Sequence, residues 1–118
     1  MLQLRVSPLD DFLLAEIAGL VSLDAWESVL RDLGRVELEE TQRPPLVVDL
    51  TGLVGWLGLP ERQEVGALMA THLAQFARVS LHIQAEKIAG VVEASARGRG
   101  LELRFFPSRE EAVRWAMA

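Results

Sequence analysis

The sequence predicts an α/β domain: a mixed sheet of about five strands with four helices mainly on one face. Its 118 residues fit the size of a single domain, and half of them are apolar. Stretches that alternate apolar and polar residues are interleaved with stretches in which apolar residues recur at helical spacing. No linker or low-complexity segment interrupts them, so residues 1–118 are expected to form one unit.

The N-terminal part predicts a hairpin followed by a helix. Apolar and polar residues alternate over 2–6, turn-forming residues follow, and residues 12–18 form a second strand that ends at Gly19. Asp24 is the expected N-cap of the first helix, and Glu27 completes a capping-box pattern with it. Two neighbouring strands joined by a short turn are expected to pair antiparallel.

The rest of the chain alternates strands and helices, in the overall order β-β-α-β-α-β-α-β-α. This order predicts a parallel centre with right-handed crossovers. Trp26 and Trp115 lie on the inner faces of their helices, and both are expected to be buried. The later elements are a strand at 46–50, a helix begun by Pro60, a strand at 79–83, a helix at 88–96, a strand at 101–106 and a helix capped by Ser108.

No pattern predicts a catalytic, metal or cofactor site. The chain has no cysteine, which excludes disulfides and thiolate ligands. His72 on a helix and His82 on a strand match no metal-ligand spacing, and both are interpreted as structural or surface residues. No nucleophile elbow is present, and the glycines after the third strand lack the G-K-[ST] of a phosphate loop. A protein without enzymatic activity, metal or cofactor is predicted.

The charge pattern bears on partners and location. A net charge of −5 argues against nucleic acid as a partner. Arg97, Arg99 and Arg104 form a basic stretch that is a candidate anion contact, unless they are simply solvated charges. The N-terminus lacks the layout of a signal peptide, and no apolar run approaches the roughly 20 residues of a membrane span. A cytoplasmic location without an integral membrane segment is expected.

The segment at 51–59 is unusually apolar for a connection between a strand and a helix. It follows a central strand, and open α/β sheets commonly place ligands at the carboxyl ends of their strands. One interpretation is that its side chains plug the end of the core or form a short extra helical turn. The other is a surface for a partner or ligand, formed by Thr51, Leu53, Val54, Trp56, Leu57 and Leu59.

Two parts of the sequence resemble a known family. Residues 17–20, the capped helix after them and residues 46–53 resemble the first half of a STAS domain, the fold of anti-sigma-factor antagonists. Residues 100–108, followed by Glu110, Glu111, Ala112 and Trp115, are similar to the end of the bacterial SpoIIAA-like branch. The resemblance implies a STAS-like fold and a bacterial regulatory module that acts through protein–protein interaction.

One departure from the family pattern concerns regulation. The antagonists carry a phosphorylatable serine in an Asp-Ser-Ser-Gly turn that follows the strand aspartate. Aligned from Asp49, residues 56–59 of this chain read Trp-Leu-Gly-Leu and contain no hydroxyl, and Thr51 lies too early. Phosphate can be added only where a hydroxyl accepts it. The usual serine switch is therefore not expected here.

Two hypotheses of function remain open. The first is a binding module that contacts another protein or a second copy of itself through the apolar segment. The second is a carrier or sensor of a small apolar or amphipathic ligand held near the same strand ends. The similar shape of the SpoIIAA-like branch and lipid-binding domains of the Sec14 type keeps this second hypothesis open.

Overall fold

A computed structural model describes residues 1–38, 43–88 and 90–118. In these residues, five strands form one sheet whose spatial order is the order of the sequence. The first pair is antiparallel, and every later pair is parallel. The strands are β1 (Leu2–Pro8), β2 (Leu13–Leu20), β3 (Leu46–Val54), β4 (Val79–His82) and β5 (Leu103–Phe106). The predicted hairpin and parallel centre are confirmed.

The helices cover both faces of the sheet unequally. Helices α1, α2 and α3 pack on one face, where Trp26, Met69 and Ala96 join the main core. Helix α4 lies on the other face and packs Ala112 and Ala116 against the sheet. The helices are α1 (Leu23–Gly34), α2 (Leu59–His72), α3 (Gly90–Gly98) and α4 (Arg109–Met117), with a 3₁₀ turn at Ala85–Lys87. The predicted arrangement, with the helices mainly on one face, is confirmed.

Alternation along the central strands divides the core between the two faces. On β3, Leu46 and Val48 point toward α1–α3, whereas Val47 points toward α4. Ser80 of β4 is fully buried on the α4 side, and its hydroxyl donates a 2.7 Å hydrogen bond to the carbonyl of Ala112. This bond satisfies a polar group that would be costly to bury alone.

The two helix caps that the sequence predicts have different outcomes. Ser108 caps α4 as expected, because its hydroxyl accepts a hydrogen bond from the amide of Glu111. The N-cap of α1 is Ser22, which accepts from the amide of Ala25, so the prediction of Asp24 is wrong. Asp24 lies instead in the first turn of α1, where its negative charge favours the helix dipole.

Gly19 does not end β2 as predicted. The strand continues to Leu20, and Gly19 pairs with Leu2 inside the β1–β2 ladder. Its φ of 125° belongs to a region that side chains disfavour, and an added Cβ would lie 2.3 Å from the carbonyl oxygen of Met1. The close approach of β1 therefore requires a glycine at this position, and Leu20 is the last residue of β2.

Strand β3 also extends beyond its predicted end at Leu50 and contains a β-bulge. Glu16 of β2 pairs with Asp49, but Ala18 pairs with Gly52, so β3 has one extra residue between these pairs. The extra residue shifts the alternation by one position. As a result Leu53, rather than Gly52, joins the core that carries Leu50.

The tryptophans of α1 and α4 differ in burial. Trp26 is only 4% exposed, as expected. Trp115 is half-buried, so the expectation of a buried ring is wrong. Helix α4 presents small alanines to the sheet, and the Trp115 ring lies beside Phe106, with ring centroids 5.8 Å apart. The guanidinium groups of Arg78 and Arg104 lie 5.0 and 5.9 Å from its centroid.

We expect Trp26→Ala to destabilise the fold more than Trp115→Ala. Removing the Trp26 ring should lower the free energy of unfolding by roughly 3–5 kcal/mol, since it empties a core position. Removing the half-buried Trp115 ring should cost about 1–2 kcal/mol, because part of its surface already contacts water. Urea unfolding of both variants measures the difference. Equal losses would contradict this assignment of the two rings.

Candidate functional site

The connection between β3 and α2 is a short turn at the carboxyl end of the sheet. Strand β3 ends at Val54, and Gly58 is the N-cap of α2, so only residues 55–57 lie between the strand and the cap. Gly55 has a φ of 98°, which allows the chain to leave the strand sharply. A Cβ at Gly55 would lie 3.3 Å from side-chain atoms of both Leu20 and Val21. The turn is thus packed against the end of β2.

Of the six residues proposed from the sequence as a binding surface, five divide into an exposed group and a buried group. Val54, Trp56 and Leu59 are 60%, 64% and 56% exposed. Leu53 is buried, and Leu57 is half-buried against the same core. The idea that this segment plugs the end of the core therefore describes two of its residues, whereas three others point into solvent.

Thr51, the sixth of these residues, belongs to the bulge rather than to the exposed surface. It is half-buried, and its hydroxyl donates a 2.7 Å hydrogen bond to Oδ1 of Asp49. Its carbonyl accepts a 2.8 Å hydrogen bond from the side-chain amide of Gln84. Thr51 therefore shapes β3 and lies apart from the exposed apolar residues of the turn.

Leu20 adds a fourth exposed apolar residue that sequence reasoning missed. It is 59% exposed and pairs with Val54 across β2 and β3. We call Leu20, Val54, Trp56 and Leu59 the apolar rim. Leu20 and Val54 are the last residues of β2 and β3, Trp56 lies in the turn after β3, and Leu59 begins α2. The pair Leu20–Val21 after Gly19 was the available signal, but Gly19 was interpreted as the end of the strand.

An apolar cavity lies beside the turn, on the face covered by α1–α3. Its volume is about 90 Å³. The buried part of its lining includes Trp26, Leu50 and Met69. Trp56 lies at its exposed side, so this ring belongs to both the apolar rim and the wall of the cavity.

Lys87 and Arg62 hold the turn from two sides. The ammonium of Lys87 donates a 3.1 Å hydrogen bond to the carbonyl of Leu53 and lies 5.7 Å from the centroid of the Trp56 ring. Nε of Arg62 donates a 2.9 Å hydrogen bond to the carbonyl of Leu57. A cation over an aromatic face is attracted by the ring quadrupole. These contacts restrain the exposed tryptophan.

A polar cluster on the opposite face is centred on Asp49. Its Oδ1 accepts hydrogen bonds from the amide and hydroxyl of Thr51, and its Oδ2 accepts one of 2.5 Å from Arg109 of α4. Burial raises the pKa of Asp49, but the hydrogen bonds from Thr51 and Arg109 outweigh it and hold the pKa below its ordinary value. A carboxylate with a lowered pKa is a weak general base, so the cluster is suited to a structural role.

The histidines occupy the positions that the sequence predicts for structural residues. His72 is half-buried at the end of α2, where its backbone approaches Gly34 of α1. Nδ1 of His82 lies 4.0 Å from Oδ1 of Asp49. Among the described residues, no group of three or more His, Cys, Asp or Glu side chains is placed to hold a metal ion. In the same part of the chain, no helix is long and apolar enough to cross a membrane.

The candidate anion contact is distributed over separate surfaces. Arg97 pairs with Glu93 along α3, and Arg99 is exposed after the end of that helix. Arg104 lies over the Trp115 ring, on the face of the sheet that α4 covers. Helix α3 packs on the opposite face, so the fold does not gather these three arginines into one site.

Comparison with known proteins yields structural neighbours and no sequence relatives. No family model and no curated protein sequence matches the chain. An anti-sigma factor antagonist from Mycobacterium paratuberculosis is similar in structure, with a TM-score of 0.59 and 14% identity over 100% of this chain and 96% of that one. The chain has a STAS-like fold. An uncharacterised DUF3478-family protein with a SpoIIAA-like fold from Shewanella loihica PV-4 has a TM-score of 0.54 and 16% identity over 98% of this chain and 93% of that one.

In this STAS-like domain, the β3–α2 turn is the region that aligns with the phosphorylatable serine of the antagonists. Gly58, the N-cap of α2, makes no side-chain cap hydrogen bond. Oε2 of Glu61 lies 2.8 Å from the position that a Cβ on Gly58 would occupy. A carboxylate therefore covers the place from which a serine side chain would project.

We expect the Asp49 cluster to make the domain's stability depend on acid pH. Because the folded-state pKa of Asp49 is lowered from 3.8, its contribution is fully present above about pH 4 and is lost as the pH falls through the folded-state pKa. Asp49→Asn should weaken the fold near neutral pH and flatten the loss of stability below about pH 4. Urea unfolding across this range measures both effects, with the exposed Asp10→Asn as control. Parallel pH profiles for wild type and Asp49→Asn would contradict the assignment.

Proposed function

We propose that this domain is a non-enzymatic regulatory module of the bacterial cytoplasm. It acts by binding another protein, or a second copy of itself, through the apolar rim. The observation that carries the proposal is the 64% exposure of Trp56, with Val54 and Leu59 exposed on either side of it in the sequence. Soluble monomers rarely expose large contiguous apolar patches, and such patches commonly mark interaction sites.

The contacts around Trp56 favour a role in an interface. Tryptophan is enriched among the residues that contribute most to binding. Here the ring is supported by the ammonium of Lys87, while Lys87 and Arg62 fix the backbone on both sides of it. A side chain that is already restrained loses less conformational entropy when a partner covers it. The rim is therefore exposed and also preorganised.

The structural neighbours support the same class of function. The Mycobacterium paratuberculosis protein is described as an anti-sigma factor antagonist, a regulator that acts on another protein. The likeness covers the whole of this chain, which makes a protein partner the natural expectation for the shared fold. The partner itself is proposed here only by its chemistry: it presents an apolar surface complementary to the rim.

We further propose that this module works without the serine switch of the antagonists. Neither Gly58 nor Leu59 carries a hydroxyl, and the Glu61 carboxylate lies over Gly58. The nearest hydroxyl on β3 belongs to Thr51, which is half-buried and donates a hydrogen bond to Asp49. A hydroxyl in this environment is poorly placed to accept phosphate from a kinase.

A second candidate function is the carriage or sensing of a small apolar or amphipathic ligand. The apolar cavity beside Trp56 favours it. Its volume of about 90 Å³ is well below the roughly 300–1,000 Å³ of most small-molecule sites. For this reason the rim, rather than the cavity, carries the main proposal.

We expect Trp56→Ala to weaken association by about tenfold or more while leaving the fold intact. The ring is mostly in solvent before binding, so its removal costs little core packing. Sedimentation velocity over a concentration series and native mass spectrometry follow complexes with a second copy or a co-purified protein. Leu9→Ala is the matched control, because Leu9 is exposed in the β1–β2 turn, outside the rim.

The same variant distinguishes an interface from a core position. If Trp56 packs mainly on its own core, Trp56→Ala should melt at a much lower temperature at every concentration. A large drop in melting temperature with unchanged sedimentation and unchanged bound mass would rule out the rim as an interface.

A further inference from the structure

Two half-buried cations line the cavity and have no carboxylate partner in the part of the chain that the structure describes. Lys87 and Arg62 both line the cavity. Among the described residues, neither has an acidic side chain within the 4.0 Å limit of an ion pair. Each donates one hydrogen bond to a carbonyl of the β3–α2 segment, which leaves further N–H donors on both groups. An anion at this position would find donors and positive charge together.

The buried side of the cavity is apolar. Trp26, Leu50, Val65 and Met69 are all buried there, and none brings a charge. A cavity of about 90 Å³ has room for a short chain of a few carbon atoms. The shape and the charges together describe a molecule with a short apolar tail and an anionic head.

We propose that this cavity binds a short aliphatic carboxylate. Its tail lies against Trp26, Leu50 and Met69, and its carboxylate is held at the side of the cavity that Lys87 and Arg62 form. The site overlaps the proposed interface only at Trp56, because Leu20, Val54 and Leu59 of the rim do not line the cavity. Trp56 belongs to both surfaces, so an occupant of the cavity contacts the ring that the rim presents to a partner.

The methionines provide an internal readout of binding. Met69 is buried and lines the cavity, whereas Met1 and Met117 are exposed and lie elsewhere. In protein labelled with ¹³C at the methionine methyl groups, butanoate should shift the Met69 signal in a saturable way. A small ligand of this kind is expected to bind with a Kd on the order of 10 mM. The signals of Met1 and Met117 should stay unchanged.

Two further titrations separate the tail from the head. 1-Butanol has the same apolar tail without the charge, and it should bind about tenfold more weakly than butanoate. Acetate has the charge with a minimal tail and should leave Met69 unshifted. Equal affinities for butanoate and 1-butanol would overturn the proposal, since the cations would then recognise nothing. This comparison uses the wild-type protein and depends on no variant.

Substitution of the cations tests their role directly. Lys87→Met and Arg62→Met should each weaken butanoate binding several-fold and leave 1-butanol binding unchanged. Arg99→Met is the matched control, because Arg99 is an exposed arginine that does not line the cavity. Butanoate affinities that are unchanged in both variants, or the absence of a saturable shift at Met69, would overturn the proposal.

The proposal and the interface can fail separately. Val54→Ser changes the rim but not the cavity, so it should weaken association and leave the butanoate titration of Met69 unchanged. Butanoate could leave the ¹³C signal of Met69 unchanged while association with a partner shifts that signal. In that case a side chain of the partner fills the cavity. That outcome would overturn the small-ligand proposal and preserve the interface.

Discussion

The β-bulge in β3, beside the hydrogen-bonded carboxylate of Asp49, is the constraint on which the shape of the proposed binding surface depends. Thr51 donates both its amide and its hydroxyl to this carboxylate, and Arg109 reaches it from α4. They accompany the extra residue that β3 carries between its pairings with Glu16 and Ala18. A shift of one residue reverses which side chains face the core of a strand. The bulge therefore sends Leu53 inward, and the chain after it leaves the sheet with Val54 and Trp56 exposed.

The rim and the cavity follow from how the chain continues after that bulge. Gly55 adopts a positive φ, and the turn it begins reaches the cap of α2 within a few residues. Within this short connection Leu57 packs against the core, whereas Trp56 remains exposed at the edge of the sheet. Lys87 and Arg62 then bond the carbonyls on either side of it. These two cations restrain the turn and also line the cavity. The same side chains therefore fix the conformation of the turn and bring positive charge to the cavity.

The order of elements and the sheet topology could be predicted because periodicity and turn residues report them directly. The Ser108 cap could also be predicted, because the serine and Glu111, whose amide it accepts from, are only three residues apart in the sequence. The bulge could not be predicted from the sequence, since it arises in the pairing of β3 with β2. Without the bulge, residues 51–54 look like part of a loop, and Leu53 cannot be separated from Val54. The half-exposed position of Trp115 and the placement of Lys87 beside Trp56 likewise arise from tertiary packing.

The proposed interface requires that the ring of Trp56 stands in solvent in the free domain and is covered when a complex forms. Labelling with 5-fluorotryptophan gives each of the three tryptophans its own ¹⁹F signal, and the change of its shift between H₂O and D₂O reports exposure. If this proposal is correct, we expect a large solvent-isotope shift for Trp56, a smaller one for Trp115 and none for Trp26. We also expect the Trp56 shift to shrink when a complex forms. A Trp56 signal as insensitive to solvent as that of Trp26, in dilute free protein, would contradict it.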